Sequence, residues 1–91
     1  MIYIVVYDIE SDSVRNDISK LLEEYGTRVQ KSVFECKLEA GVYRDLFSKL
    51  EKIKLEDGNI RIYPLCYSCY KKAIGIGEAE AISGSKGFEI I

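Results

Sequence analysis

The sequence has no histidine, no tryptophan and a single proline among its 91 residues. Without histidine there is no imidazole general base, no His-ligated zinc, and no Ser–His or Cys–His nucleophile pair. Its longest apolar run falls far short of the roughly 18–20 residues that a bilayer span needs, so no membrane segment is expected. The chain enters a strand pattern without a basic leader or a small-residue cleavage site, which makes a cytoplasmic location the default expectation. A large net charge is also missing, since 13 Lys and Arg against 15 Asp and Glu leave −2. A protein that gathers nucleic acid through a global positive field is strongly basic. Contact with nucleic acid would therefore run through a local patch, or through a partner that supplies most of the charge.

Cysteine is sparse and odd in number, with Cys36, Cys66 and Cys69. The C-x-x-C of Cys66 and Cys69 raises a redox or zinc reading. A redox pair is expected at a helix N-terminus, whereas this motif, in "YPLCYSCYKK", lies between two strand-like runs. A closed zinc site takes four ligands, and only three thiols are present. The three cysteines are accordingly read as small packing residues.

What the chain does have is the composition of one small globular domain, 1–91, with 47% hydrophobic and 31% charged residues. A chain of this size buries only roughly 60–65% of its unfolded surface. Residues 2–7 are β-branched and aromatic, which suits a central strand covered on both sides. Val14, Ile18, Leu21, Leu22 and Tyr25 recur at helical spacing, with Asp12 or Ser13 placed to cap the start and Gly26 to end it. In "TRVQKSVFECKL" Val29 and Val33 share one parity, while Phe34, Cys36 and Leu38 share the other. Faces alternate strictly along a strand, so the change of phase near residues 31–33 implies a bulge, a bend or a tight hairpin.

A second helical stripe follows in Tyr43, Leu46, Phe47, Leu50 and Ile53, stopped by Asp57 and Gly58. "NIRIYPLC" alternates as a strand, and Pro64 marks an edge position or a bulge near its end. "YKKAIGIG" reads as a further short strand and "GFEII" as a last one. The order predicts a ferredoxin-like βαββαβ sandwich of class α+β, with two helices on one face of an antiparallel sheet and an extra C-terminal strand. The other face would be apolar and bare, so a homodimer is expected.

Among chemical candidates, Asp8 ends the first strand. It is either a turn residue accepting backbone N–H bonds or a magnesium ligand, whose octahedron waters and substrate phosphates would complete. Arg15 follows at the start of the first helix. Arg28 and Lys31 flank Gln30 beside the phase change and suit phosphate contacts. Lys20, Lys49, Lys52 and Lys54 interleave with acids and read as surface pairs.

"YIVVYDI", an arginine in the first helix, and the block "YG-RVQ-SVFE" at residues 25–35 together resemble the small CRISPR-associated Cas2 family. The resemblance implies a ferredoxin-like homodimer that acts in acquisition of new CRISPR spacers. Two dimers of the Cas1 integrase would flank it in a heterohexamer on duplex DNA. It also implies a magnesium-dependent endonuclease acting on single-stranded RNA or double-stranded DNA, with a stand-alone, toxin-like endoribonuclease as the alternative.

By the same resemblance Asp8 binds magnesium, one copy from each subunit across the dimer axis. Tyr7, Arg15, Arg28 and Phe34 match positions tied to nuclease function, and Ser32 would contact a phosphate. Residues 83–91 match a tail strand that pairs with the partner subunit, reached through the crossing segment "ISGSKG". In one departure from the family pattern, Asp17 stands where some members carry a second arginine. If cleavage operates, a magnesium-bound water would attack in line while Arg15 or Arg28 stabilises the developing charge.

Overall fold

The computed structural model describes residues 1–77, together with the backbone of residues 89 and 90. Its elements run β1 (Ile2–Asp8), α1 (Asp12–Glu23), β2 (Thr27–Gln30), β3 (Val33–Lys37), α2 (Ala40–Glu51), β4 (Asn59–Leu65), a single helical turn α3 (Tyr67–Tyr70), β5 (Ile74–Gly75) and β6 (Glu89–Ile90). The main sheet has the order β2-β3-β1-β4, with every neighbouring pair antiparallel. The β-branched run of β1 thus lies in the middle, paired from Ile2↔Lys37 to Val6↔Val33 on one side and from Ile2↔Leu65 to Asp8↔Asn59 on the other.

Alternation along β1 sends Val5 and Tyr7 to one face and Ile2, Ile4, Val6 and Asp8 to the other. On the first face Val5, Tyr7, Phe34 and Cys36 meet Ile18 and Leu22 of α1 and Leu46 and Leu50 of α2 in a single core. Each large apolar side chain taken fully out of water there contributes about 1.5–3 kcal/mol. The result is the expected ferredoxin-like α+β sandwich.

The phase change in the second strand region resolves into two features. Lys31 and Ser32 form the hairpin turn, and the register slips by one residue between Arg28↔Phe34 and Gln30↔Val33, which marks a bulge at Val29. Gly26 sits where an added Cβ would collide with the Glu35 carbonyl and Cys36, so it serves close backbone approach after the helix. Pro64 lies on β4, an edge strand of the sheet, as its missing N–H demands.

Four expectations need correction. Ser11, and not Asp12 or Ser13, caps α1, its side chain accepting from the Val14 N–H. Helix α2 ends at Glu51, ahead of the Asp57–Gly58 stop, because the following residues turn back toward β4. The segment after Pro64 is not purely strand-like: Tyr67–Tyr70 forms a helical turn with Cys66 in the capping position. Cys66 and Cys69 are exposed, and only Cys36 packs in the core.

That turn also changes the second face of the sheet. Tyr70, 1% exposed, packs on Ile2 with Ile4 and Leu65 beside it, so the open face is partly roofed by its own chain. Ile4, Val6, Val33 and Tyr63 remain uncovered or half-covered there. Glu89–Ile90 pairs in parallel with Ile74–Gly75 of the same chain, while "ISGSKG" lies outside the described residues. No helix among the described residues is long and apolar enough to cross a membrane.

Candidate functional site

The first-helix end of the sheet carries a basic hollow of about 180 Å³, lined by Tyr7, Arg15, Asn16, Ser19, Arg28 and Lys31. Each wall has a local cause. Tyr7 comes from the helix-facing parity of β1. Arg15 and Ser19 are four apart on α1 and so share a helix face. Arg28 pairs with Phe34 across the β2–β3 ladder, and Lys31 is held in the hairpin turn that joins these strands.

The guanidinium groups are fixed in place. Arg15 Nη1 donates to the Ile9 carbonyl at 2.9 Å and the Glu10 carbonyl at 3.3 Å, while Nη2 is paired with Asp12. Arg28 Nη2 donates to Ser19 Oγ, and Nη1 donates to the Lys31 carbonyl at 3.3 Å. Its guanidinium carbon lies 5.2 Å from the centre of the Phe34 ring. Glu23 Oε1 stands 3.6 Å away, an ion pair weakened by solvent on both sides.

The Tyr7 hydroxyl donates to the Lys31 carbonyl at 3.4 Å, and the Tyr7 N–H donates to the Ser32 carbonyl at 3.1 Å. Phe34 is 0% exposed, so it acts on the site only as the floor under Arg28. Two guanidinium groups, an ammonium, a phenol, an amide and a hydroxyl converge on one hollow whose lining includes no carboxylate. Such a set has the chemistry to receive a phosphate oxygen.

Of the sequence candidates, Tyr7, Arg15, Arg28, Lys31 and Phe34 come together here. Ser32 is half-buried at the turn and outside the lining, with its carbonyl engaged by Tyr7. Asp8 is apart. It is exposed on the opposite face of the sheet from Tyr7, at the parity of Ile4 and Val6. Asp17 is exposed and outside the hollow as well. Asn16 and Ser19 were not singled out from the sequence. The signal was available for Ser19, a polar residue one helical turn beyond Arg15 and beside the core position Ile18.

Asp8 can be tested as a cation ligand from its surroundings. Among the described residues no group of three or more His, Cys, Asp or Glu side chains could hold a metal ion. Asp8 offers one exposed carboxylate from each chain, outside any cluster of three such ligands. That donor set fits magnesium, which keeps most of its waters and accepts one or two carboxylates with phosphate oxygens. It does not fit a closed all-protein site. A larger hollow of about 290 Å³ near the α1 N-terminus, between Ser11, Ser13, Lys54, Glu56 and Asp57, mixes both signs of charge and lacks the arginines.

Comparison with known proteins places these features. Residues 1–73 match the family model described as CRISPR associated protein Cas2. The CRISPR-associated endoribonuclease Cas2 1 of Chloroflexus aurantiacus is 47% identical over 93 aligned positions, covering 100% of both chains. Among solved structures, the hypothetical protein TT1823 from Thermus thermophilus superposes with a TM-score of 0.76 at 33% identity, over 90% of this chain and 96% of that one. A chain from a partial Cas6-RT-Cas1–Cas2 complex gives 0.69 at 36% identity, over 79% of this chain and 86% of that one. The match spans every residue of the basic hollow and Asp8, and the chain belongs to the CRISPR-associated protein Cas2 family.

Proposed function

We propose that the chain is a homodimeric adaptor of CRISPR spacer acquisition, bridging Cas1 integrase subunits and supporting duplex DNA. The observation that carries this reading is the recurrence of its fold, at 36% identity, in a chain assembled with Cas1. Two Cas1 dimers flank the adaptor in a heterohexamer. The dimer forms on the open sheet face, where Ile4, Val6, Val33 and the half-exposed Tyr63 surround the turn that carries Tyr70. The hollow of Tyr7, Arg15, Arg28 and Lys31 seats a backbone phosphate, a local patch on a chain without global positive charge. Ser32 adds a polar contact at its rim. The setting is cytoplasmic, away from membranes.

The printed name of the Chloroflexus relative, an endoribonuclease, favours a second reading in which the dimer also cleaves phosphodiesters in RNA or DNA. Asp8 from each subunit would hold magnesium across the dimer axis. When bound, the ion supplies a water of lowered pKa and neutralises charge on the phosphoryl oxygens. The chain's own residues then divide the work. Asp8 orients the ion, while Arg15, Arg28 and Lys31, on the other side of the sheet, grip a flanking phosphate and align the strand. A toxin-like RNase uses the same parts on cellular RNA and would show itself by growth arrest on expression.

One experiment separates these readings. Wild type and Asp8→Ala are assayed for spacer insertion with the Cas1 partner and for cleavage alone, each with magnesium and with chelator. The adaptor reading expects insertion to persist in Asp8→Ala, and insertion abolished in a folded, dimeric variant would overturn it. The nuclease reading expects cleavage by wild type only, and highly purified wild type that cuts nothing with magnesium present would end it.

A further inference from the structure

Cys66 and Cys69 take part in neither the basic hollow nor the core. Both are free and exposed, whereas Cys36 is free and fully buried. Cys66 holds the capping position of α3 and Cys69 is the third residue of that turn. The Cys66 side chain makes no capping hydrogen bond, but the Tyr70 N–H donates to the Cys66 carbonyl at 2.9 Å, and this closed turn brings Cys69 back beside Cys66. The Ser68 hydroxyl lies 3.2 Å from Cys66 Sγ. With the Cys69 thiol and N–H beside it, this hydroxyl draws the Cys66 thiol down to about 7. The hydrogen bond and charge of Cys66 push the Cys69 thiol the other way. A soft metal would need further ligands, and among the described residues no third one joins the pair.

We propose that Cys66 and Cys69 form a redox-active dithiol site whose co-substrate is a low-molecular-weight disulfide. The Cys66 thiolate attacks one sulfur of the disulfide RSSR, forming Cys66–S–S–R and releasing RS⁻. Cys69 gives its proton to solvent and attacks Cys66 Sγ, which closes the Cys66–Cys69 bond and releases the second RS⁻. Two protein thiols are oxidised by two electrons while RSSR is reduced to two thiols. Side chains three apart on a helical turn have Cβ atoms about 5–6 Å apart, against about 3.5–4.5 Å in a disulfide, so closure tightens the turn by roughly 1–2 Å. Tyr70, the next residue after Cys69, anchors that same turn on Ile2. The site uses none of the residues assigned to nucleic acid or metal, although its turn borders the face assigned to the dimer.

The test uses the full chain with oxidised glutathione at neutral pH, followed by an acid quench, alkylation in denaturant and intact mass. Wild type is expected to lose two of its three alkylatable thiols together, with no glutathione retained. Cys69→Ser should trap one glutathione on Cys66, since nothing remains to resolve it. Cys66→Ser should react roughly 5–8-fold more slowly, which combines a larger thiolate fraction with the lower nucleophilicity of a more acidic thiol. Cys36 should alkylate only after unfolding, which reports in each sample that the fold is intact. Wild type that keeps all three thiols, or that retains glutathione as Cys69→Ser does, would overturn the proposal. So would Cys66→Ser reacting as fast as wild type.

Discussion

The Arg28 guanidinium rests on the ring of Phe34, 5.2 Å from its centre, and is tied sideways to Ser19 on α1. A wholly buried ring thereby aims a charge that is itself close to half exposed. The two residues should respond differently to substitution. Arg28→Ala removes one phosphate contact, so the slope of log K against log salt for duplex DNA should flatten by about 0.9. Phe34→Leu leaves the charge in place but lets it drift. It should weaken binding at every salt concentration with an unchanged slope, and destabilise the fold by roughly 1–2 kcal/mol through lost core volume. Fluorescence anisotropy across a salt series, beside urea unfolding, checks both.

Asp8 calls for a different measurement, because it is exposed on the face opposite Tyr7. If two copies meet across a dimer axis, the carboxylates repel each other unless a cation lies between them. Magnesium should therefore tighten the wild-type dimer, and chelation should raise its dissociation constant several-fold. Asp8→Asn removes the repulsion and the ligand together, so its dimer should be indifferent to both. Its stability should stay within about 0.5 kcal/mol of wild type, as for most exposed substitutions. Sedimentation equilibrium with and without chelator decides it, and equal magnesium dependence in the two proteins would count against a shared ion at Asp8.

The order of elements was legible in the chain because its signals are local. The continuous β-branched and aromatic run of β1 and the apolar spacing of Ile18, Leu22, Leu46 and Leu50 carry the sheet and the core directly. The parity conflict between Val29 and Val33 on one side and Phe34, Cys36 and Leu38 on the other placed a bulge, bend or hairpin near residues 31–33, and the structure has both a bulge and a turn there. What resisted reading depends on contacts distant in sequence. The four-residue turn at Tyr67–Tyr70 is too short for a periodic stripe and is held by Tyr70 packing on Ile2, 68 positions away. The site was half legible. Arg15, Arg28 and Lys31 stood out as residue types, but the opposition of Tyr7 and Asp8 follows only once the faces of β1 are assigned to core and open side.

Gly58 supports Asp8 from below. Its φ is +77°, in the left-handed region, and an added Cβ would strike the Asp8 carbonyl. The loop entering β4 can lie against the end of β1 only because no side chain is present. Gly58→Ala should cost more than about 1 kcal/mol, the strain adding to the clash. It should also disturb any metal response that depends on Asp8, whereas Gly41→Ala, whose Cβ would meet nothing nearer than 3.9 Å, should be neutral or mildly stabilising. Thermal unfolding of the pair of variants gives the contrast, and equal midpoints would refute it.

Glu35 supplies the pH dependence. It lies on the open face opposite Ile4 in β1 and Thr27 in β2, with Oε2 buried and without a hydrogen-bond partner among the described residues. Burial pushes its carboxyl above the ordinary value of 4.5. At acid pH both folded and unfolded chains hold the proton, and the group has no effect on stability. As pH rises through the ordinary value the unfolded chain ionises first, so it binds fewer protons than the fold and stability falls. The loss grows until the folded carboxyl ionises too, and stays constant above that. Glu35→Gln keeps the shape and removes the ionisation. Its unfolding midpoint should therefore exceed that of wild type at neutral pH, with the gap closing as pH drops below the usual carboxylate range. A gap that is constant with pH would mean that the substitution acts through packing, and a gap that widens in acid would reverse the assignment.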